Sequence, residues 1–426
     1  MAILLFGCFL GLLVLAVPIA LSLGLSSLIV LFFGGFPSAV LAQKMFTGLD
    51  SFPFLAVPFF ILAGSLMETG GISARLVRLA TVMVGHIRGG LGMVVVVATI
   101  FFSDISGSSV ADTAAIGSIM IPTMLKRRYP PTIAVAIVAA AGAAGILIPP
   151  CITMIIYALV TNVSVGYLFA AGFVPGALMA LSLMALIYYI ARRDGLPAEP
   201  RATFAEFRIA LWDAIPTMFM PVIILGGILS GVFTATESAV VAVVYGAFLS
   251  LIVYRELRPR DLPAILLNTA KLTGMVMLVV GMSTTFAWVL TTQQVPQNLT
   301  AWMLSISDRP WVFLLMVNVL LLIVGTFMDA TAAVVVLMPL LYPIAQHMHI
   351  DLVHFGIVIT ANLGLGLIHP PLGIALFIAS GIAKVPVEKV IKPMLPFLAV
   401  LIAALLIITY VPVITLFVPR LLGYPG

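Results

Sequence analysis

The sequence predicts an all-α polytopic membrane fold assembled from two inverted repeats, and three observations predict it. Hydrophobic residues make up 63% of the 426-residue chain and charged residues only 8%, whereas roughly a quarter of a soluble globule is charged. The same interruption of an apolar span occurs twice, as Gly145-Ile-Leu-Ile-Pro149-Pro150 and Gly366-Leu-Ile-His369-Pro370-Pro371. The charged loops flanking these interruptions assign them opposite directions across a membrane.

Apolar stretches of spanning length lie at about 3–33, 165–190, 216–253, 272–291 and 395–419. The first is either one long span or two short ones, and it lacks the basic segment of a cleaved leader, so it reads as a retained helix. The net charge of +5 and pI near 9.3 do not point to nucleic acid, because the basic residues are dispersed over short loops. Cys8 and Cys151 lie far apart in apolar sequence and form no metal or redox motif.

Arg192, Arg193, Arg201 and Arg208 mark one cytoplasmic loop, and Arg255, Arg258 and Arg260 a second. Residues 216–253 therefore go out and return, turning near Thr234–Glu237. Span 272–291 crosses outward again, placing 292–310 outside. Lys126, Arg127 and Arg128 are inside, as are Lys384, Lys389 and Lys392. From the first of these loops, segment 132–160 runs outward and 165–190 returns. From 346–351, which has no Lys or Arg, segment 354–383 runs inward and 395–419 leaves. The order is the same and the orientation opposite.

A shift of 221 carries Gly145 onto Gly366, Pro149-Pro150 onto Pro370-Pro371 and Pro175 onto Pro396. A shift of 218 carries Gly107 onto Gly325 and Thr113-Ala-Ala onto Thr331-Ala-Ala. This ordered similarity predicts N-terminal scaffold helices over 1–90, a first repeat over 91–190, central connecting helices over 191–310 and a second repeat over 311–426. Each repeat opens with an expected re-entrant hairpin, 91–125 or 311–343. Their tips, Ser103–Ser109 and Gly325–Thr331, are too polar for lipid and should meet the two proline breaks near the midplane.

Paired prolines remove two amide donors and clash with the preceding turn, so a membrane helix opens there and leaves carbonyls available. Asp104, Asp112 and Asp329 are costly in a membrane unless paired or facing a polar cavity. Each reads as a ligand or charge at an ion site, or as an N-cap at a broken helix; Asp104 reads equally as the partner of an arginine. Ser106, Gly107, Ser108 and Ser109 offer hydroxyls beside a flexible backbone, suited to a hard monovalent cation, or else small residues for close helix packing. Thr153 and Asn362 add polar groups next to the breaks. His369 stands where the first break has Ile148, and reads as a hydrogen-bonding partner for a carboxylate, a proton carrier or a structural histidine. Glu237 and Lys271 lie outside the paired units, at expected helix ends. The sequence has no nucleophile elbow, Walker loop, dinucleotide fingerprint or zinc-ligand cluster, which predicts a non-enzyme without an organic cofactor.

These residues carry a resemblance. Pro58-Phe-Phe-Ile-Leu-Ala-Gly64, Gly85-His-Ile-Arg-Gly-Gly90, Ser106-Gly-Ser-Ser-Val-Ala-Asp-Thr-Ala-Ala-Ile-Gly117, Ile148-Pro-Pro150, Leu168-Phe-Ala-Ala-Gly172, Gly231-Val-Phe-Thr-Ala-Thr-Glu237, Met328-Asp-Ala330 and Pro370-Pro-Leu-Gly373 run in one order through nearly the whole chain. The sequence resembles the large membrane subunit of tripartite ATP-independent periplasmic (TRAP) transporters, of the ion-transporter superfamily. The resemblance implies an elevator-type fold, a bacterial inner-membrane location, a small membrane subunit and a periplasmic substrate-binding protein as partners, and sodium-driven uptake of a small organic acid such as a C4-dicarboxylate, sialic acid or sugar acid. It implies that Ser106–Ser109 with Gly145–Pro150, and Gly325–Asp329 with Asn362–Pro371, form the sodium and substrate region. Together with the residue readings above, substrate contacts are expected at Ser108, Ser109, Thr153, Asn362 and His369, and ion binding or gating at Ser106, Gly107, Asp112, Gly145, Pro149, Pro150, Gly325, Asp329, Thr331, Gly366, Pro370 and Pro371. His369 departs from the small hydroxyl residue expected before Pro370, and Cys151 from a serine expected after Pro150. Proton coupling through His369 or an aspartate, and a non-transporting membrane scaffold, are the competing expectations.

Overall fold

Prolines and caps decide where the helices begin and end. A computed structural model describes residues 1–370 and 372–426, and every regular element among them is helical. Eight helices among the described residues are long and apolar enough to cross a membrane. Pro18 precedes the first turn of Ile19–Phe33 and separates it from Ala2–Val14, so the apolar run 3–33 is two short helices. Thr203 with Glu206, and Thr234 with Glu237, form reciprocal capping boxes that start Phe204–Leu229 and Ala235–Phe248. Glu237 is thereby accounted for by local structure. Lys271, expected at a helix end, instead lies exposed in the interior of Leu262–Thr292, because that helix starts ten residues earlier than the apolar run. A short helix, Val295–Ile306, occupies the expected outer loop.

Each repeat contains the same series. The first has hairpin arms Gly90–Ser106 and Ser109–Lys126, half-helices Pro131–Gly145 and Ile152–Thr161, and a return helix Val165–Asp194. The second has Pro310–Phe327 and Ala330–His347, then Leu352–Gly366 and Ile374–Ala383, then Val387–Tyr410. Val387–Tyr410 starts earlier than the expected 395 and ends before Pro412, after which Pro412–Leu421 is a separate helix. Both first half-helices close with tightened i→i+3 turns at equivalent places, Ile148 N–H donating to Gly145 O at 2.8 Å and His369 N–H to Gly366 O at 3.1 Å.

The helix starts correct the hairpin register. Ser109, Pro131 and Gly145 correspond to Ala330, Leu352 and Gly366 under the single shift of 221. Gly107 therefore matches Met328 rather than Gly325, and Ser108 matches Asp329. The 218 pairing of Gly107 with Gly325 and Thr113 with Thr331 is out of register by almost one turn, since small residues recur at helical spacing along both arms. The second break is one residue longer than the first, which moves Val165 onto Val387 and Pro175 off Pro396.

The repeats interlock. Ile152–Thr161 packs against Ala330–His347, and its counterpart Ile374–Ala383 packs against Ser109–Lys126. Tyr157 Oη donates to Leu352 O at 2.7 Å across this junction. Around the interlocked core lie Ala56–Thr69, Ile72–Val84, Phe204–Leu229, Ala235–Phe248 and Leu262–Thr292. Arg75 ties Ile72–Val84 to Phe204–Leu229 and to the loop before Leu262–Thr292, pairing with Asp213 at 3.3 Å and Glu256 at 2.6 Å while stacking on Tyr254.

Candidate functional site

A cavity of about 430 Å³ lies where the interlocked core meets Ala56–Thr69 and Leu262–Thr292, with Ile19 of Ile19–Phe33 also on its wall. Both hairpin tips, both second half-helices and both breaks contribute to its wall. The first hairpin supplies Ser106 through Ala111, and the second Asp329 through Ala332; the breaks and half-helices supply Ile146, Ile152, Thr153, Leu367 and Ile374. Opposite them stand two stripes at helical spacing, Ile61, Gly64, Ser65 and Glu68 on one outer helix and Leu272, Met275, Val276 and Val279 on the other.

The tip of the first hairpin turns at Gly107, whose φ of +63° is open to glycine at little cost. Its carbonyl accepts from Ile152 N–H at 3.2 Å, docking the tip on the start of the half-helix after the first break. Ser108 caps the second arm through Ala111 N–H. Asp112 is 1% exposed and accepts from the hydroxyls of Ser103 and Ser106, so it ties the two arms together from inside rather than lining the cavity. Gly145 packs against Ser103 and Asp112. The hydroxyl of Ser109, by contrast, is buried at the cavity wall with no partner.

In the second repeat, Asp329 is the N-cap of Ala330–His347 and accepts from Thr331 N–H at 3.0 Å. Gly325 and Gly366 meet backbone to backbone, the Cβ of an alanine at 366 falling 2.6 Å from Gly325 Cα. Both glycines lie behind the cavity wall. Asn362 is wholly buried and donates to Asn318 Oδ1 at 2.8 Å, and Asn318 donates to Thr409 Oγ1 at 3.0 Å; this polar chain holds helices together away from the cavity. His369 Nδ1 lies 3.4 Å from Thr326 Oγ1 and is likewise outside the lining.

Of the residues singled out in the sequence, Ser106, Gly107, Ser108, Ser109, Thr153, Asp329 and Thr331 share the cavity. Asp112, Gly145, Gly325 and Gly366 support it from behind. Asn362, His369, Pro149, Pro150 and Pro370 do not line it; the Pro149–Pro150 peptide is cis and Pro150 O approaches Gly107. Pro371 lies outside the described residues. Asp104 has no ion-pair partner among the described residues, because Arg75 and Arg78 engage Asp213; it faces a separate 110 Å³ cleft beside Thr217 and Pro221. Glu68 and Ser65 are lining residues that the sequence did not single out, although they follow Pro58–Gly64 at helical spacing.

Among the described residues, no lysine, arginine or histidine lines the cavity. Positive potential comes instead from four helix N-termini that end on it, those starting at Ser109, Ile152, Ala330 and Ile374. Each carries roughly half a positive charge at its exposed amides. Two have side-chain caps, from Ser108 and Asp329, whereas the half-helices starting at Ile152 and Ile374 have none. Ile152 N–H is taken by Gly107 O and Ala375 N–H by Leu367 O, and a carboxylate fits the first-turn amides that have no such partner. No group of three or more His, Cys, Asp or Glu with metal-ligand spacing occurs among the described residues. The oxygens on offer are hydroxyls, carbonyls and the Asp329 carboxylate, a set suited to a weakly held monovalent cation.

Residues 6–414 match the family model described as Tripartite ATP-independent periplasmic transporter, DctM component. The C4-dicarboxylate TRAP transporter large permease protein DctM of Pseudomonas aeruginosa is 45% identical over 403 residues, covering 94% of each chain. The isethionate TRAP transporter permease protein DctMQ of Oleidesulfovibrio alaskensis is 43% identical over 415 residues, 97% of this chain and 65% of that longer one. Among solved structures, the Alcanivorax borkumensis YdaH transporter matches 87% of this chain and 86% of its own with a TM-score of 0.64 at 15% identity, a likeness of fold. A match to the family model over residues 6–414, relatives above 40% identity over nearly the whole chain, and a helical architecture shared with a transporter agree: this chain belongs to the DctM component of the tripartite ATP-independent periplasmic transporters.

Proposed function

We propose that this permease takes up a small organic acid by sodium-coupled symport across a bacterial inner membrane, receiving it from a periplasmic binding protein and working beside a small membrane subunit. The observation that carries this reading is the convergence of four helix N-termini, two of them without a side-chain cap, on one cavity that has no basic side chain among the described residues. Such a wall attracts a carboxylate without holding it as firmly as an ion pair, which suits a carrier that must release its cargo. The named relatives act on a C4-dicarboxylate and on isethionate, so an acidic group is the shared chemistry and the rest of the substrate differs.

In this reading the hairpins are re-entrant and sodium orders their tips around the breaks. The orphan hydroxyl of Ser109, the Ser106–Ser108 backbone and the Asp329–Thr331 cap supply the oxygens. The interlocked core then moves as an elevator against the outer helices. The cavity reaches Glu68, beside the glycines that contact Ser250 and Glu256 near the arginine-bearing loop. That loop is cytoplasmic by the positive-inside bias, so this arrangement faces inward. His369, bonded to Thr326, is a structural histidine in this scheme, and sodium rather than a proton couples transport.

A cysteine placed at Val110, on the cavity wall, tests the ordering step once Cys8 and Cys151 are replaced. Maleimide labelling of the purified protein should be at least about threefold slower in sodium chloride than in choline chloride, since a closed tip opens less often. Equal rates would count against sodium at the tips.

A further inference from the structure

The two sides of the cavity differ in charge more than anion binding alone requires. The core side presents helix N-termini, whereas the outer helix Ala56–Thr69 presents Gly64, Ser65 and the carboxylate of Glu68. None of the ion pairs among the described residues includes Glu68. Lys271 precedes the lining residue Leu272 but does not itself line the cavity. Gly64 marks where the outer wall meets the first tip: a Cβ there would stand 3.3 Å from Ser106 Cα. Glu68 follows Gly64 by four residues, just over one helical turn and about 6 Å along the axis. A carboxyl group is thus held one turn from the tip, on the wall opposite the half-helix amides.

We infer that Glu68 is a specificity-determining residue that favours monoanionic acids bearing hydroxyl or amino groups at the far end and disfavours acids with a second carboxylate. This rests on the anion-site reading above. A ligand whose carboxylate lies on the half-helix amides turns its other end toward Glu68 and Ser65. A hydroxyl or ammonium there donates to the Glu68 carboxylate, a charge-assisted bond. A second carboxylate meets a like charge on the exposed rim of the cavity, where water and salt screen the repulsion only in part. Ser65 serves either as donor or as acceptor and does not discriminate.

The full-length permease in sodium-containing detergent buffer is suited to the test, with ligand-induced stabilisation titrated for four probes of similar size: glycerate, butyrate, succinate and malate. The wild type should bind glycerate most tightly and the two dicarboxylates most weakly. Glu68→Gln should tighten apparent succinate and malate affinity about fivefold while changing butyrate little, the order expected of removing one solvent-screened like charge. Glu68→Asp, which keeps the charge, should retain the wild-type order and shows that substitution at 68 is tolerated by the fold. Wild-type binding of malate as tight as glycerate, or a Gln variant that shifts all four acids alike, would overturn the inference. Stabilisation by none of the four acids in the wild type would remove the anion site itself, and the role of Glu68 with it.

Discussion

Gly366→Ala should abolish transport and lower the melting temperature of the purified protein by several degrees. The added Cβ would lie 2.6 Å from both Gly325 Cα and its carbonyl carbon, and 2.8 Å from its oxygen. These are backbone atoms, which cannot swing aside as a flexible side chain would. The first arm of the second hairpin must separate from the first half-helix, at an overpacking cost of about 1–3 kcal/mol or more. That separation also displaces the break beginning at Leu367, and with it the uncapped amides after Gly373. Gly325→Ala should be milder, since its Cβ meets Gly366 Cα at 3.0 Å. Gly381→Ala, with nothing within 4 Å, should be nearly silent. Melting and uptake assays on the three variants give the order; equal behaviour at 366 and 381 would contradict the close-contact account.

The second large effect is expected at Asp112. Its carboxylate accepts from Ser103 and Ser106, joining the arms of the first hairpin immediately below its tip. Asp112→Ala leaves two buried hydroxyls without their acceptor, at about 1–3 kcal/mol for each group left unsatisfied. Asp112→Asn can still accept from one hydroxyl and donate to the other, so it should lose less. Hydrogen exchange over residues 103–111 should rise strongly in the Ala variant and modestly in the Asn variant, with sodium-dependent protection lost in the same order. Unchanged exchange in both would show that the tip is held by other contacts.

Much of this architecture is legible in the chain because prolines announce themselves. Pro149-Pro150 and Pro370 mark helix breaks wherever they fall, and the 221-residue spacing survives in helices of equal length. Hairpin register is less legible. Glycine, threonine and alanine recur along both arms, so a match displaced by three residues looks as good as the true one until Ser108 and Asp329 are seen to cap equivalent helices. Side-chain direction is harder still. Asn362 and His369 sit beside the second break in sequence, yet Asn318 and Thr326 on the hairpin arm draw them inward. Asp112 and Ser109 lie three residues apart, but one faces its partner arm and the other the cavity. Glu68 is not legible as a lining residue because a carboxylate near a helix end resembles a loop charge; only the packing of Gly64 on Ser106 turns that face of the outer helix toward the tips.

The central claim is that two hairpin tips and two broken helices make one site in which sodium and an organic acid travel together. The most direct measurement is uptake by the tripartite assembly in proteoliposomes, using the acid its periplasmic partner binds and sodium gradients imposed in either direction. Accumulation that follows an inward sodium gradient, and vanishes when choline replaces sodium or a proton gradient stands alone, is the predicted result. Uptake indifferent to sodium, or driven equally well by protons alone, would contradict it.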